Sequence, residues 1–305
     1  MFYYSTLLRK MQAPILLLDR TGRFMYNKRE TKMLPPLEVI PMPEPTARTD
    51  LTRRCALLDS LRGLTVINMV LFHAMWDLVY LFGLHAPWFH GTGAFIWQQA
   101  ICCTFITLSG FCAAMGKHTL RRGAVVFGLG AGISLVTALF MPDELILFGV
   151  LTLIGSSMLI VGAAKPVLRK IPAWCGFAVS FALFAFTRLV DTGYLGIFFK
   201  PLIALPRGLY ANYVTAYFGF PQPEFYSTDY FSLIPWLFLF LTGFFLHGIC
   251  GRQVLSVTWK GVRPLNFIGR HALLIYVLHQ PVVYGVLLAV NWLTTPLLND
   301  YFDVL

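Results

Sequence analysis

The sequence is short of charge. Of its 305 residues, 12% are Asp, Glu, Lys or Arg while 57% are hydrophobic, and the mean hydropathy is +0.67. A water-soluble domain carries about 25% charged residues, so a soluble enzyme, a nucleic-acid reader and a secreted scaffold are excluded as first readings. The chain also has no Cys-x-x-Cys pair and no His spacing suited to zinc, and its six cysteines (Cys55, Cys102, Cys103, Cys112, Cys175, Cys250) lie mostly inside apolar segments. Neither a disulfide framework nor a metal site is expected. No Walker loop, dinucleotide fingerprint or Gly-x-Ser-x-Gly elbow is found. No internal or inverted repeat is visible, which counts against the common transporter architectures. In the first thirty residues the only apolar run is Ile15 to Leu18. A signal-peptide core needs about 7 to 15 residues, so no cleaved leader is expected.

What is present is length of apolar sequence. Seven stretches approach the roughly 20 residues that a membrane helix needs: 60–82, 93–115, 123–140, 145–164, 172–189, 231–250 and 271–293. They predict an all-α polytopic transmembrane bundle over 53–295, with a short outer tail at 296–305. Residues 1–52 scatter basic side chains among Pro35, Pro36, Pro41, Pro43 and Pro45 and read as a flexible cytoplasmic tail that builds no core. Basic residues collect on the cytoplasmic side of membrane proteins. With the N-terminus inside and the C-terminus outside, twenty-one Lys and Arg fall on inner segments and three (Arg188, Lys200, Arg207) on outer ones, whereas Asp143, Glu144, Asp191, Glu224, Asp229, Asp300 and Asp303 fall outside. The net charge of +10 is thus a topological signal and implies no nucleic acid. The 190–230 segment must hold zero or two spans by parity. Zero is expected, with short helices at the outer interface where its tyrosines suit the headgroup zone.

The first span carries four ionisable residues: Asp59 and Arg62 at its inner end, His73 and Asp77 in its outer half. At 100° per residue all four share one face, with Arg62 roughly 16 Å below His73. Charge at membrane depth costs about 2.5–3.5 kcal/mol per group on insertion scales and tends to face a polar interior. His73 and Asp77 are spaced i, i+4, so the carboxylate can accept a proton from one imidazole nitrogen and leave the other as base or nucleophile. The bland alternative is a pair that only packs helices, and for Asp59 and Arg62 it is a helix-start carboxylate and an interfacial anchor. In the last span His279 stands one turn from Tyr276 and is followed by Gln280 and Pro281. Pro281 leaves the Val277 carbonyl without its helical donor, so His279 either lines a cavity at a kink or merely satisfies that kink. His85 and His90 flank Trp88 in the first outer loop. Ser109-Gly110-Phe111 reads as small residues permitting close helix packing, and Arg121, Arg122, Arg252, Arg263 and Arg270 serve equally as phosphate ligands or topology signals.

Several of these strings, in this order, carry a resemblance: Asp59-Ser60-Leu61-Arg62-Gly63-Leu64, Phe72-His73 with Asp77-Leu78, Phe105 to Phe111 ending in Ser-Gly-Phe, Asp229-Tyr230, Pro235-Trp236, Gly269-Arg270-His271, Leu274-Ile275-Tyr276 and Leu278-His279-Gln280-Pro281. The chain resembles, over roughly 53–293, the heparan-α-glucosaminide N-acetyltransferase-like family in its short bacterial form, and more broadly the membrane O-acyltransferases of bacterial surface sugars. It departs from them at Thr152, where relatives often carry His or Gln. The resemblance implies a multi-pass enzyme of the bacterial inner membrane that moves an acetyl or similar acyl group from cytoplasmic acetyl-CoA or other acyl-CoA to a hydroxyl or amine of a sugar-like acceptor at the outer face. No metal is implied, and an oligomer is left open. On this reading His73 and Asp77 are catalytic, with Asp59, Arg62, Arg270, Tyr276, His279 and Gln280 binding substrate. The animal enzymes of the family point instead to the first outer loop, here His85 or His90. The rival from another class is a proton-coupled small-molecule transporter using the same His and Asp pair as a relay; a third reading is a non-catalytic membrane subunit.

Overall fold

A computed structural model describes residues 55–302, with side chains to Thr294; the tail read from 1–52 lies outside the described residues, as do 303–305. The architecture is an all-α bundle. Among the described residues seven helices are long and apolar enough to cross a membrane: α1 (Ala56–Tyr80), α2 (Thr92–Met115), α3 (Thr119–Phe140), α4 (Val150–Leu168), α5 (Ala173–Thr187, extended by a 3-10 turn to Thr192), then, after the 190–232 segment, Leu233–Ser256 and the stretch Ala272–Thr294. In lipid every backbone polar group must be satisfied within the segment, which is why these Leu, Val and Phe runs are helical. Ends are satisfied by side chains. Lys165 donates to the carbonyls of Ala113 (2.9 Å) and Gly116 (2.7 Å), closing the C-terminus of α2 together with the Thr119 hydroxyl.

The 190–232 segment contains no span, as its Pro and charge content requires, but it is not purely helical. An antiparallel hairpin joins β1 (Tyr194–Ile197) to β2 (Lys200–Ala204). A short helix α6 (Tyr213–Phe218) follows, its start fixed by a reciprocal capping box between Asn212 and Thr215. The spans at Leu233–Ser256 and from Ala272 are α7 and α9, separated by α8 (Arg263–Arg270); α9 continues to Phe302.

Helix α7 packs between α2 and α5, α3 packs on α4, and α1 lies against α8 and α9. Apolar attraction between helices is weak in lipid, so small residues that admit close backbone approach set such contacts. Gly110 of α2 meets the Phe240 carbonyl and Gly243 of α7 meets the Thr107 carbonyl, a reciprocal pair with no room for a methyl group. Gly63 of α1 and Gly269 of α8 do the same against Leu265 and Asp59. The core gathers Ile106, Leu153, Val161, Trp236 and Phe240 at the α2, α4 and α7 junction.

One sequence expectation is corrected here. The fourth span begins at Val150, not 145, because 145–149 form a loop bound to the chain before α7. Helix α9 passes through Pro281 without interruption.

Candidate functional site

The face of α1 that carries Asp59, Arg62, His73 and Asp77 looks onto α8 and α9. At the basic end Asp59, nearly buried, accepts from Arg62 Nη1 at 3.4 Å and Arg270 Nε at 3.3 Å. Arg62 Nη2 also reaches Cys112 Sγ on α2 at 2.9 Å. Ser60 donates to Asn266 Oδ1 at 2.5 Å and Asn266 donates to the Lys260 carbonyl, so the start of α1 is keyed to α8. Asp59 therefore neutralises and orients two guanidinium groups. Arg62 stays partly covered, while Arg270 is nearly half exposed.

Higher on the same face the expected His73 and Asp77 pairing is replaced. Asp77 is fully buried and accepts a 2.7 Å hydrogen bond from Gln280 Nε2 on α9. His73 instead faces His279, with ring centroids 4.8 Å apart. The i, i+4 spacing put His73 and Asp77 on one face, but α9 supplies each with a separate partner. His279 is buried, and its Nδ1 lies 2.6 Å from the Tyr276 carbonyl. A carbonyl only accepts, so Nδ1 carries the proton and Nε2 carries the lone pair. No hydrogen-bond partner among the described residues meets that Nε2, nor Asp77 Oδ2 or Gln280 Oε1. The Nδ1 contact goes to Tyr276 and not to the Val277 carbonyl that Pro281 frees.

One acidic residue that sequence reasoning left out of the site joins it from the loop before α7. Asp229 Oδ2 accepts from the Val150 N–H at 3.3 Å and from the Tyr276 hydroxyl at 3.4 Å. It is held there by a clasp between two loops: Thr228 N–H to the Leu145 carbonyl (3.0 Å), Ser227 Oγ to both backbone groups of Leu147 (2.9 and 3.0 Å), and Phe231 N–H to the Phe148 carbonyl (2.9 Å). Phe148 adopts φ of 56°, a left-handed conformation costly for an aromatic residue, with its ring against Tyr217 and Phe225. Asp229 thus sits at the positive end of α4. Burial nonetheless raises its pKa above the ordinary carboxylate value, against the opposing pull of the Val150 and Tyr276 hydrogen bonds.

Between α1, α2, α3, α4 and α9 runs a cavity of about 170 Å³. Arg62, Cys112, Gly116 and Arg122 line its basic end, Ser109 and Leu151 its wall, and Tyr276 its far end. The Ser109 hydroxyl donates to the Phe105 carbonyl at 2.8 Å, the bond of a packed helical serine. His73, Asp77, His279 and Gln280 do not line the cavity, which ends one helical turn from His279. His85 and His90 are exposed at the acidic end, where His90 Nδ1 meets the Tyr80 hydroxyl at 3.1 Å.

The model of the family described as heparan-alpha-glucosaminide N-acetyltransferase, catalytic, matches residues 54–281. The chain belongs to that family. The match spans α1 to the middle of α9, so both imidazoles, Asp229 and the cavity lie within the matched region of this acetyltransferase family. No curated protein and no solved structure matches the chain. The chain is a multi-pass member of an acetyltransferase family, and the residues that its geometry brings together are His73, Asp77, Tyr276, His279, Gln280 and Asp229, with Arg62 and Arg122 at the basic mouth.

Proposed function

We propose that the protein transfers an acetyl or similar acyl group from acyl-CoA, entering at the Arg62 and Arg122 mouth from the cytoplasm, to a hydroxyl or amine of a sugar-like acceptor reaching the centre from the opposite, outer face of a bacterial inner membrane. The observation that carries this reading is a cavity with two arginines at one end and, one helical turn past its other end, a buried imidazole with an unengaged Nε2. Ligand pockets typically measure about 300–1,000 Å³, so about 170 Å³ suits only the slender acyl-pantetheine arm. The nucleotide then stays outside, among the basic residues of that end, where guanidinium groups match phosphate geometry.

In the transfer step the acceptor N–H or O–H attacks the thioester carbonyl. His279 Nε2 takes the proton, the C–S bond breaks, and the imidazolium returns the proton to the leaving thiolate. His73, 4.8 Å away, is the second imidazole of the pair and keeps the role of base open to either ring. Asp77, held by Gln280, places negative charge behind them.

Purified protein, radiolabelled acetyl-CoA and glucosamine provide the test. Loss of the His279 base is expected to lower kcat by about 10²–10⁴-fold. Arg122→Ala is expected to raise KM for acetyl-CoA with kcat little changed, the pattern of lost ground-state binding. Undiminished transfer in both His279→Ala and His73→Ala would overturn the assignment, and solute uptake that depends on a pH gradient with no acetyl-CoA turnover would favour the proton-coupled transporter instead.

A further inference from the structure

The β1 and β2 hairpin at the acidic end takes no part in the proposed transfer, and its composition does not suit water. Ile197 pairs with Lys200, so Phe198 and Phe199 alone make the turn. The favoured two-residue hairpin turns need a positive φ at the first central residue and recruit Gly, Asn or Asp there. Phe198 adopts φ of 51° instead, a conformation in which bulky side chains are rare. An Asn-Gly pair would fit the same turn in water without that strain, so two aromatic rings at the tip point to apolar surroundings. The strands repeat the pattern. Ile197 is 58% and Phe199 65% exposed, and every residue of β2 is exposed. Lys200 is the one charged residue between Tyr194 and Ala204. In water such an apolar edge is a template for aggregation, which soluble proteins blunt with charge.

The place of the tip in the fold identifies what covers it. The Phe198 N–H donates to the Ala185 carbonyl at 2.8 Å, in the last turn of α5, where helical carbonyls have no partner within the helix. The Phe198 ring meets Phe181 of α5, and the Phe199 ring meets Phe95 in the first turn of α2, each with centroids 6.0 Å apart. Phe181 lies about 10 Å below Arg188 along the helix, inside a stretch apolar enough to cross the membrane. Phe181, Leu183 and Phe95 are themselves exposed, and on a membrane span an exposed apolar face is covered by lipid. The hairpin tip thus continues a lipid-facing surface of two spans. Lys200, next in the chain, carries an ammonium on a stem long enough to snorkel to headgroup phosphates. Open strand edges are not tolerated in hydrocarbon, so the strands belong at headgroup level and only the tip rings reach the acyl chains.

We propose that the hairpin is a lipid anchor, inserting its Phe198-Phe199 tip among the phospholipid acyl chains of the leaflet at the acidic end, beside α2 and α5. Nitroxide labels on Phe199→Cys and, in a separate variant, Leu202→Cys test it in nanodiscs of phosphatidylethanolamine and phosphatidylglycerol. Labelled Glu224→Cys is the water-facing reference, and the unsubstituted full chain gives the background of native thiols. Oxygen concentrates among acyl chains and a nickel chelate stays in water, so the ratio of their collision rates with the label reports depth. The oxygen-to-nickel ratio is expected to be at least tenfold higher at 199 than at 224, with 202 in between. Equal ratios at 199 and 224 place the tip in water and overturn the anchor. A label at 199 shielded from both reagents, as when a second copy of the chain covers the tip, overturns it as well. Should Phe199→Cys fail to fold, Leu202→Cys decides alone: a ratio above that at 224 supports the anchor and an equal one overturns it.

Discussion

At the scale of single residues, the centre is a set of buried polar groups whose partners lie on distant segments. Asp229 shows how much one such group matters. The folded protein holds its proton more tightly than the unfolded chain because burial penalises the carboxylate. Native stability is therefore expected to fall as pH rises from the ordinary carboxylate range, about 4, up through the raised folded value. Asp229→Asn keeps an acceptor for the Val150 N–H and the Tyr276 hydroxyl while removing the charge, and its thermal-melt profile is expected to be flatter over that window. A variant profile as steep as the wild type would assign the dependence elsewhere. The sequence made one face of α1 legible, since periodicity fixes which side chains project together. It did not reveal that Asp77 binds Gln280 while His73 meets His279, because helical spacing says nothing of which neighbour arrives. Asp229 was given no role for the same reason: its partners Val150 and Tyr276 are 79 and 47 residues away, and the sequence marked it only as an outer-side charge and as part of the Asp229-Tyr230 resemblance.

At the scale of elements, the spans were legible because a bilayer demands about twenty apolar residues of any helix that crosses it, and seven stretches meet that demand. Short elements obey no such rule. The β1 and β2 hairpin depends on its turn and on packing against α5, the eight-residue α8 on packing against α1, and no apolar run announces them. The start of α4 was placed five residues early, since Leu145 to Phe148 are as apolar as a span, yet Ser227 and Phe231 take up their backbone groups. Close backbone contact also makes its own demands. Gly243→Ala is expected to destabilise the α2 and α7 pair by about 1–3 kcal/mol, the usual cost of overpacking, because the added methyl group collides with the Thr107 carbonyl. Gly285→Ala on α9, with open space around it, serves as the control. Equal melting temperatures in detergent for the two variants would refute the close-packing account.

For the whole molecule, the charge asymmetry sets the direction of the proposed reaction. Lys117, Arg169 and Lys260 lie at one end of the bundle, Asp143 and Glu224 at the other. In intact cells a cysteine introduced at Glu224 is expected to react with a membrane-impermeant maleimide, and one at Lys117 only after permeabilisation, each against the background of the six half-buried native thiols. The reverse pattern would invert the topology and place the arginine mouth on the wrong side for a cytoplasmic donor.

The first and last spans meet face to face, with Asp77 and Gln280 separated by 203 residues. During synthesis α1 leaves the ribosome long before α9 exists, so its carboxylate must enter the bilayer without the amide that later receives it. Such a group is expensive in hydrocarbon, and a nascent chain halted after α7 would retain that burden. Completion of the C-terminal helix is then also the step that quiets the oldest part of the fold, and a stalled or clipped chain would present its polar stripe to whatever surveillance the membrane provides.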